Sequence, residues 1–283
     1  MKIRFLGTGA AEGAPAIYCK CDVCEELRRR GAKEWHTRSQ IVIDDGLGID
    51  FPPDAYSHAL MQGVDLGKIT HLLVTHSHMD HFYAHDFILR GYKYTRTPLA
   101  PLEIYGNQEV CKVFFECTRR ELREEIAKTI IMREIRAFEP FCVGDGYEVT
   151  ALLAQHSQAE TAFVYLIEKN GKSYLHLTDT GRLPLSTLDY LENHAKNTGR
   201  KINRVTFDCT FLFQTAGTVS RHMGLEDNKT MQEEMQRRGI VDGQTRYVIT
   251  HYSHNSAPLL ENLTRAEKEY GYKAAFDGMS IQI

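Results

Sequence analysis

Thr75-His76-Ser77-His78-Met79-Asp80-His81 places four potential metal ligands within six residues, a density that packing alone does not explain. The apolar run Ile69 to Val74 leads into it and reads as a strand. In extended backbone His76 and His78 alternate with Ser77, so both imidazoles leave the same face. Asp80 and His81 follow at the turn and can reach a second ion. Imidazole with carboxylate suits zinc, manganese or iron, and suits calcium poorly. A lone histidine is by contrast more often an ordinary core or surface residue. His36, His58, His71, His85, His176 and His194 fall under that reading, although His71 and His85 flank the motif and can hydrogen-bond to ligands.

The rest of the chain sets the frame for that motif. Short apolar runs bounded by turn residues recur at Lys2–Leu6, Ser39–Asp44, Thr70–Thr75, Leu102–Tyr105, Tyr147–Leu153, Ala162–Glu168, Tyr174–Leu177, Arg204–Phe207, Arg246–Thr250 and Lys273–Phe276. These are strand-length and rich in β-branched or aromatic residues. Helical spacing appears from Glu109 to Ile135, Pro184 to Lys196, Asn228 to Arg238 and Ala257 to Tyr270. The mixture predicts an α/β protein with helices covering the outer faces of two packed sheets. No repeat or low-complexity linker divides the chain, so residues 1–283 are expected to form one domain, with a helical insertion around 107–140. That stretch mixes arginine and glutamate, which reads as a solvated helical face.

A net charge of -3 and the absence of a basic tail do not suggest a nucleic-acid partner. The apolar stretch at Met1–Gly7 is too short for a signal peptide, and no run approaches the roughly 20 apolar residues that span a membrane. The expected location is the cytoplasm. There, the closely spaced Cys19-x-Cys21-x-x-Cys24 points to a metal rather than to disulfides, and a fourth ligand would complete a structural zinc. His36 is the nearest histidine that could supply it.

The quoted motifs, together with Gly7-Thr8-Gly9-Ala10-Ala11-Glu12-Gly13-Ala14-Pro15, Leu177-Thr178-Asp179-Thr180-Gly181, Thr250-His251-Tyr252-Ser253-His254 and Phe276-Asp277-Gly278-Met279, resemble the metallo-β-lactamase superfamily. More narrowly, the chain resembles the PhnP-type phosphodiesterases, which hydrolyse phosphoribosyl 1,2-cyclic phosphate. The resemblance covers most of the chain and implies an αββα sandwich. It implies that His76, His78 and His156 hold one divalent ion, that Asp80, His81 and His251 hold another, and that Asp179 bridges them, with manganese or zinc as the metal. It also implies His254 as the fourth ligand of a Cys19, Cys21, Cys24 zinc, and a homodimer. Asp50 matches the early aspartate that buttresses the metal loop in this superfamily; capping a turn is its other reading.

The function implied is hydrolysis of a small, cyclic phosphodiester. Two ions about 3.5–4 Å apart share a hydroxide that attacks phosphorus, with Asp80 in the catalytic centre and His222 as general acid. His222 lies in Ser220-Arg221-His222-Met223-Gly224, where Arg221 could compensate phosphate charge; Asp208 could orient a ligand or His222, or cap its strand. Gly7, Gly9 and Gly13 permit close backbone approach, but no Gly-Lys-Ser/Thr follows to make a phosphate loop. Alternatives are a tRNA 3′-processing nuclease, which would need a flexible basic arm, another hydrolase of the same fold, and a non-enzymatic module stabilised by its metals.

Overall fold

The computed structural model describes residues 1–217 and 220–283. The chain runs through β1 (Lys2–Gly7), β2 (Gln40–Ile43), β3 (Leu47–Ile49), β4 (His71–Leu73), β5 (Leu102–Gly106) and β6 (Ile130–Glu134). It crosses into β7 (Pro140–Val143), β8 (Tyr147–Leu153), β9 (Phe163–Lys169), β10 (Lys172–Leu177), β11 (Arg204–Asp208), β12 (Arg246–Thr250) and β13 (Lys273–Ala274), then returns as β14 (Ser280–Gln282). Two seven-stranded sheets result, ordered β14-β1-β2-β3-β4-β5-β6 and β13-β12-β11-β10-β9-β8-β7.

Period-two patterning packs these sheets face to face. Phe163, Tyr165 and Ile167 of β9 point into the layer shared with Phe5, Ile41, Ile43, Ile49 and Leu73. Val164 and Leu166 between them point the other way, into the layer with Leu188 and Leu191. Fully burying each of these side chains contributes about 1.5–3 kcal/mol. Among the described residues, seven α-helices surround the sheets: α1 (Asp22–Arg30), α2 (Ala55–Gln62), α3 (Gln108–Thr118), α4 (Glu124–Ala127), α5 (Leu185–Thr198), α6 (Leu225–Arg237) and α7 (Leu260–Tyr270). Residues of α5, α6 and α7 cover the second sheet, and α3 covers the first. The architecture is the αββα sandwich.

The 107–140 stretch differs from its helical expectation. It is helical in α3 and α4, then becomes β6, which pairs in parallel with β5. Only Ile130 of β6 is buried, so an exposed edge strand carries little of the alternation that marks a strand in sequence. The three-residue β3 and β14 are too short to show a period, and the sequence reading passed over them together with α1 and α2. β10, β11 and β12 are mutually parallel, and β8 lies two antiparallel steps from β10, so all four end on the same rim. That shared rim positions the site.

Candidate metal centre

The loop after β4 carries His76, His78, Asp80 and His81, and buried hydrogen bonds fix its shape. Asp50 accepts the Thr75 N–H at 2.8 Å and its hydroxyl at 3.0 Å. His81 Nδ1 donates to Asp50 Oδ2 at 2.7 Å, which leaves Nε2 as the free lone pair. Asp50 thus occupies the buttressing position rather than merely capping a turn. On the other side Glu160 accepts from Ser77 N–H at 3.0 Å, from its hydroxyl at 2.7 Å and from Asn107 Nδ2 at 2.7 Å. Glu160 had no motif to reveal it in the sequence.

Each remaining site residue sits just beyond a strand end. His156 follows β8, Asp179 follows β10, Asp208 ends β11 and His251 follows β12. Asp179 and His251 have φ of 54° and 65°, the left-handed bend that turns each side chain back over the rim. Asp179 is the hub. Its Oδ2 lies 3.3 Å from His76 Nε2, 3.1 Å from His81 Nε2 and 4.0 Å from His251 Nε2, and its Oδ1 lies 3.1 Å from His156 Nδ1. Ligand atoms of His76, His78, His156 and Asp179 all fall within 4.8 Å of one another, as do those of Asp80, His81, Asp179 and His251.

The donor set fits metal ions. His81 Nε2, His251 Nε2 and Asp179 Oδ1 are buried yet form no hydrogen bond, a costly arrangement unless a cation uses their lone pairs. His251 is oriented for that role by Asp208 Oδ2 at 3.1 Å and Thr210 Oγ1 at 2.9 Å from its Nδ1. Burial opposes the Asp179 carboxylate, but His251, His222, His76 and His81 more than offset it and hold its pKa well below the ordinary value. Burial pushes His156 down to about 4, keeping it neutral and able to donate a lone pair. His78 is exposed, so the centre opens to solvent there.

His222 stands at the same rim. Its Nδ1 is 3.0 Å from Asp179 Oδ1 and 3.3 Å from Asp208 Oδ2, and its side chain is 27% exposed. Asp208 therefore spans His222 and His251, one of the two roles read from the sequence. The exposed Arg221 meets the centre only through its carbonyl, 3.5 Å from His156 Nδ1.

The second cluster lies where the N-terminal loop meets the loop after β12. Cys19, Cys21, Cys24 and His254 bring their ligand atoms within 4.8 Å, with Cys21 Sγ 3.6 Å from His254 Nδ1. Cys21 occupies the N-cap of α1, where the Cys24 N–H and then His254 draw its thiol down to about 6. Burial pushes Cys24 up to about 11. His36, the nearer histidine in sequence, stands apart. Its Nδ1 contacts Thr8 Oγ1 at 2.7 Å and its Nε2 contacts the Pro258 carbonyl at 3.1 Å. Gly9 explains the close packing beside it, since a Cβ there would lie 2.5 Å from the His36 carbonyl oxygen.

Residues 39–252 match the model of the β-lactamase superfamily domain. The chain belongs to the metallo-β-lactamase superfamily. A diphosphatase from the PhnP family is 21% identical, with all of this chain and 97% of that one superimposed at a TM-score of 0.72. Zn(2+)-bound PqqB from Methylobacterium extorquens is 17% identical over 100% of both chains, with a TM-score of 0.75. The human short form of tRNase Z is 16% identical over 100% of this chain and 99% of that one, at 0.65. These likenesses show the fold. An octanoyltransferase of Porphyromonas gingivalis is 36% identical over 83 residues, which are 29% of this chain and only 16% of that protein's length. The chain thus carries a metallo-β-lactamase-fold domain with candidate metal clusters. Among the described residues, no helix is long and apolar enough to cross a membrane.

Proposed function

We propose that this chain is a metal-dependent phosphodiesterase acting on a small, cyclic phosphodiester. The observation that carries the proposal is the convergence of two ligand clusters on Asp179, with His222 beside it at the solvent-accessible rim. In this reading His76, His78 and His156 hold one divalent ion, zinc or manganese; Asp80, His81 and His251 hold the other; and Asp179 serves both. Bound there, the ions would neutralise phosphoryl oxygens and bring the pKa of water near neutrality.

The protein's own groups divide the remaining work. Asp50 and Glu160 keep the Thr75–His81 loop rigid from opposite sides, so its ligands need no reorganisation during turnover. Asp80 stays ionised beside His81, 3.1 Å away, and accepts a hydrogen bond from the attacking water. Asp208 holds His222 through Nδ1, leaving Nε2 to deliver a proton to the departing alkoxide. Water's oxygen forms the new bond to phosphorus, the bond to the leaving oxygen breaks, and a ring-opened phosphomonoester results. The Cys19, Cys21, Cys24 and His254 cluster holds a structural zinc with all four positions filled by protein. A cytoplasmic location and a homodimer belong to the same reading.

A small substrate is favoured over tRNA because the charged stretch through α3, α4 and β6 mixes arginine with glutamate and is not the flexible basic arm a nuclease would need. The test is turnover of bis(p-nitrophenyl) phosphate, five-membered cyclic phosphates, 2′,3′-cyclic nucleotides and precursor tRNA by metal-reconstituted protein. Cyclic phosphates should be the best substrates. Preference for precursor tRNA would make the chain a processing nuclease, and no phosphodiester turnover at all would sink the proposal.

A further inference from the structure

The turn between β13 and β14 carries the chain from the second sheet back to the first, and Asp277 sits at that crossover. Its carboxyl is the meeting point of a buried polar chain. Oδ1 lies 2.6 Å from Thr8 Oγ1; Oδ2 accepts the Thr37 N–H at 2.8 Å and lies 2.5 Å from Thr37 Oγ1. From Thr37 the chain passes to His58 Nε2 at 2.7 Å, from His58 Nδ1 to Gln40 Oε1 at 2.6 Å, and from Gln40 Nε2 to the Asp50 carbonyl at 3.3 Å. Asp50 in turn holds His81. From Thr8 a second arm runs through backbone, since the Thr8 carbonyl accepts the N–H of Tyr252, the residue after His251, at 2.9 Å.

Proton counting on the Thr8 side places a proton on the Asp277 carboxyl. The Pro258 carbonyl can only accept, so neutral His36 carries its proton on Nε2 and receives the Thr8 hydroxyl at Nδ1. Thr8 then has no proton left for Asp277, and the contact is completed by a proton on the carboxyl. Burial pushes Asp277 up to about 7, in keeping with that proton.

We infer that Asp277 is a positioning residue for the Asp80, His81 and His251 cluster, an inference that rests on the metal-centre reading above. His81 comes from the first sheet and His251 from the second, and the two arms of Asp277 end at Asp50, which holds His81, and at Tyr252, the residue after His251. His78 and His156 are reached by neither arm, and His76 only one step further on, where the Thr75 hydroxyl held by Asp50 lies 3.0 Å from its Nδ1. Loss of the carboxyl therefore loosens the second ion site more than the first.

Metal-free protein refilled with Co(II) tests this, with d–d absorption reporting the His/Asp sites and thiolate-to-cobalt charge transfer reporting the cysteine cluster separately. Asp277→Ala should weaken the second His/Asp ion about 10- to 100-fold, the scale typical of outer hydrogen-bond partners, and the first by a clearly smaller factor. Asp277→Asn can donate to Thr8 and accept from Thr37, and should restore binding to within about threefold of wild type. If Asp277→Ala is poorly folded, Thr37→Val cuts the arm to His81 alone and should give the same selective loss. Two wild-type Co(II) affinities with an unchanged d–d spectrum in folded Asp277→Ala or Thr37→Val would overturn the inference and leave the metal centre standing. A wild-type protein whose His/Asp sites take up no Co(II) would overturn both.

Discussion

Asp179 gathers partners from four separate strand ends, whereas Cys19, Cys21 and Cys24 meet within six residues and need only His254 from elsewhere. The first centre contains three buried atoms without hydrogen bonds and opens to solvent at His78 and His222. The second offers four donors, enough to complete a tetrahedron. A centre assembled from distant strands can leave positions for substrate because the sandwich holds its ligands in place. One assembled on a short loop must use all its donors to hold the loop itself. Under the proposed function the contrast separates a site for chemistry from a site for stability, and each half can be broken independently.

The largest effect is expected from Asp179→Ala, which removes the hub shared by both His/Asp clusters. Phosphodiesterase kcat/KM should fall by at least about 1,000-fold, and elemental analysis should show loss of the two His/Asp ions with the cysteine-bound zinc retained. Next is His222→Ala, expected to lower kcat by about 100- to 1,000-fold for an alkoxide leaving group with metal content unchanged. The deficit should shrink for p-nitrophenolate, which leaves without a proton. An equal deficit for both leaving groups would assign His222 to transition-state binding rather than to acid catalysis.

Breaking the other half gives a smaller effect of a different kind. His254→Ala should lose one metal equivalent and lower Tm by roughly 4–8 °C if about 2 kcal/mol is lost, while the folded fraction keeps its His/Asp ions. Unchanged zinc stoichiometry would remove His254 from the cluster. His36→Ala should leave zinc stoichiometry unaltered, because both of its ring nitrogens are engaged by Thr8 and Pro258.

The smallest effect concerns the link between the two regions, since the Asp277 chain also reaches Pro258 near His254. A carboxyl raised to about 7 keeps its proton in the folded chain through a range where the unfolded chain, near 3.8, has lost it. Its stabilising contribution is therefore complete below the unfolded value and is lost as pH rises through about 7. Asp277→Asn has no proton to lose. In metal-free protein its Tm relative to wild type should rise between about pH 5 and pH 8, and a flat difference would show that Asp277 does not titrate there.

Much of this was legible in the residues because it is local. Thr75 to His81 declares a candidate metal site by spacing alone, and the cysteine cluster does the same through three thiols too close for ordinary disulfides. Strands β8 to β12 of the second sheet showed because both their faces are covered, whereas the exposed edge strands β6 and β7 did not. His156, Asp179 and His251 carry no local signature and entered the sequence reading only through resemblance. Glu160 and Asp277 lacked even that guidance to a role, since an isolated carboxylate looks the same whether it faces water or clamps a loop.

By itself, then, the sequence determined the residue types, the two dense ligand motifs and the alternation that builds a two-sheet core. Tertiary structure decided which distant side chains meet them: Asp179 at the hub, Asp50 and Glu160 on either side of the loop, and His254 rather than His36 beside the thiols. The physical reason is that periodicity encodes which face of a strand is buried. Convergence at the rim depends on strand order and direction, which are set by the packing of the whole sandwich.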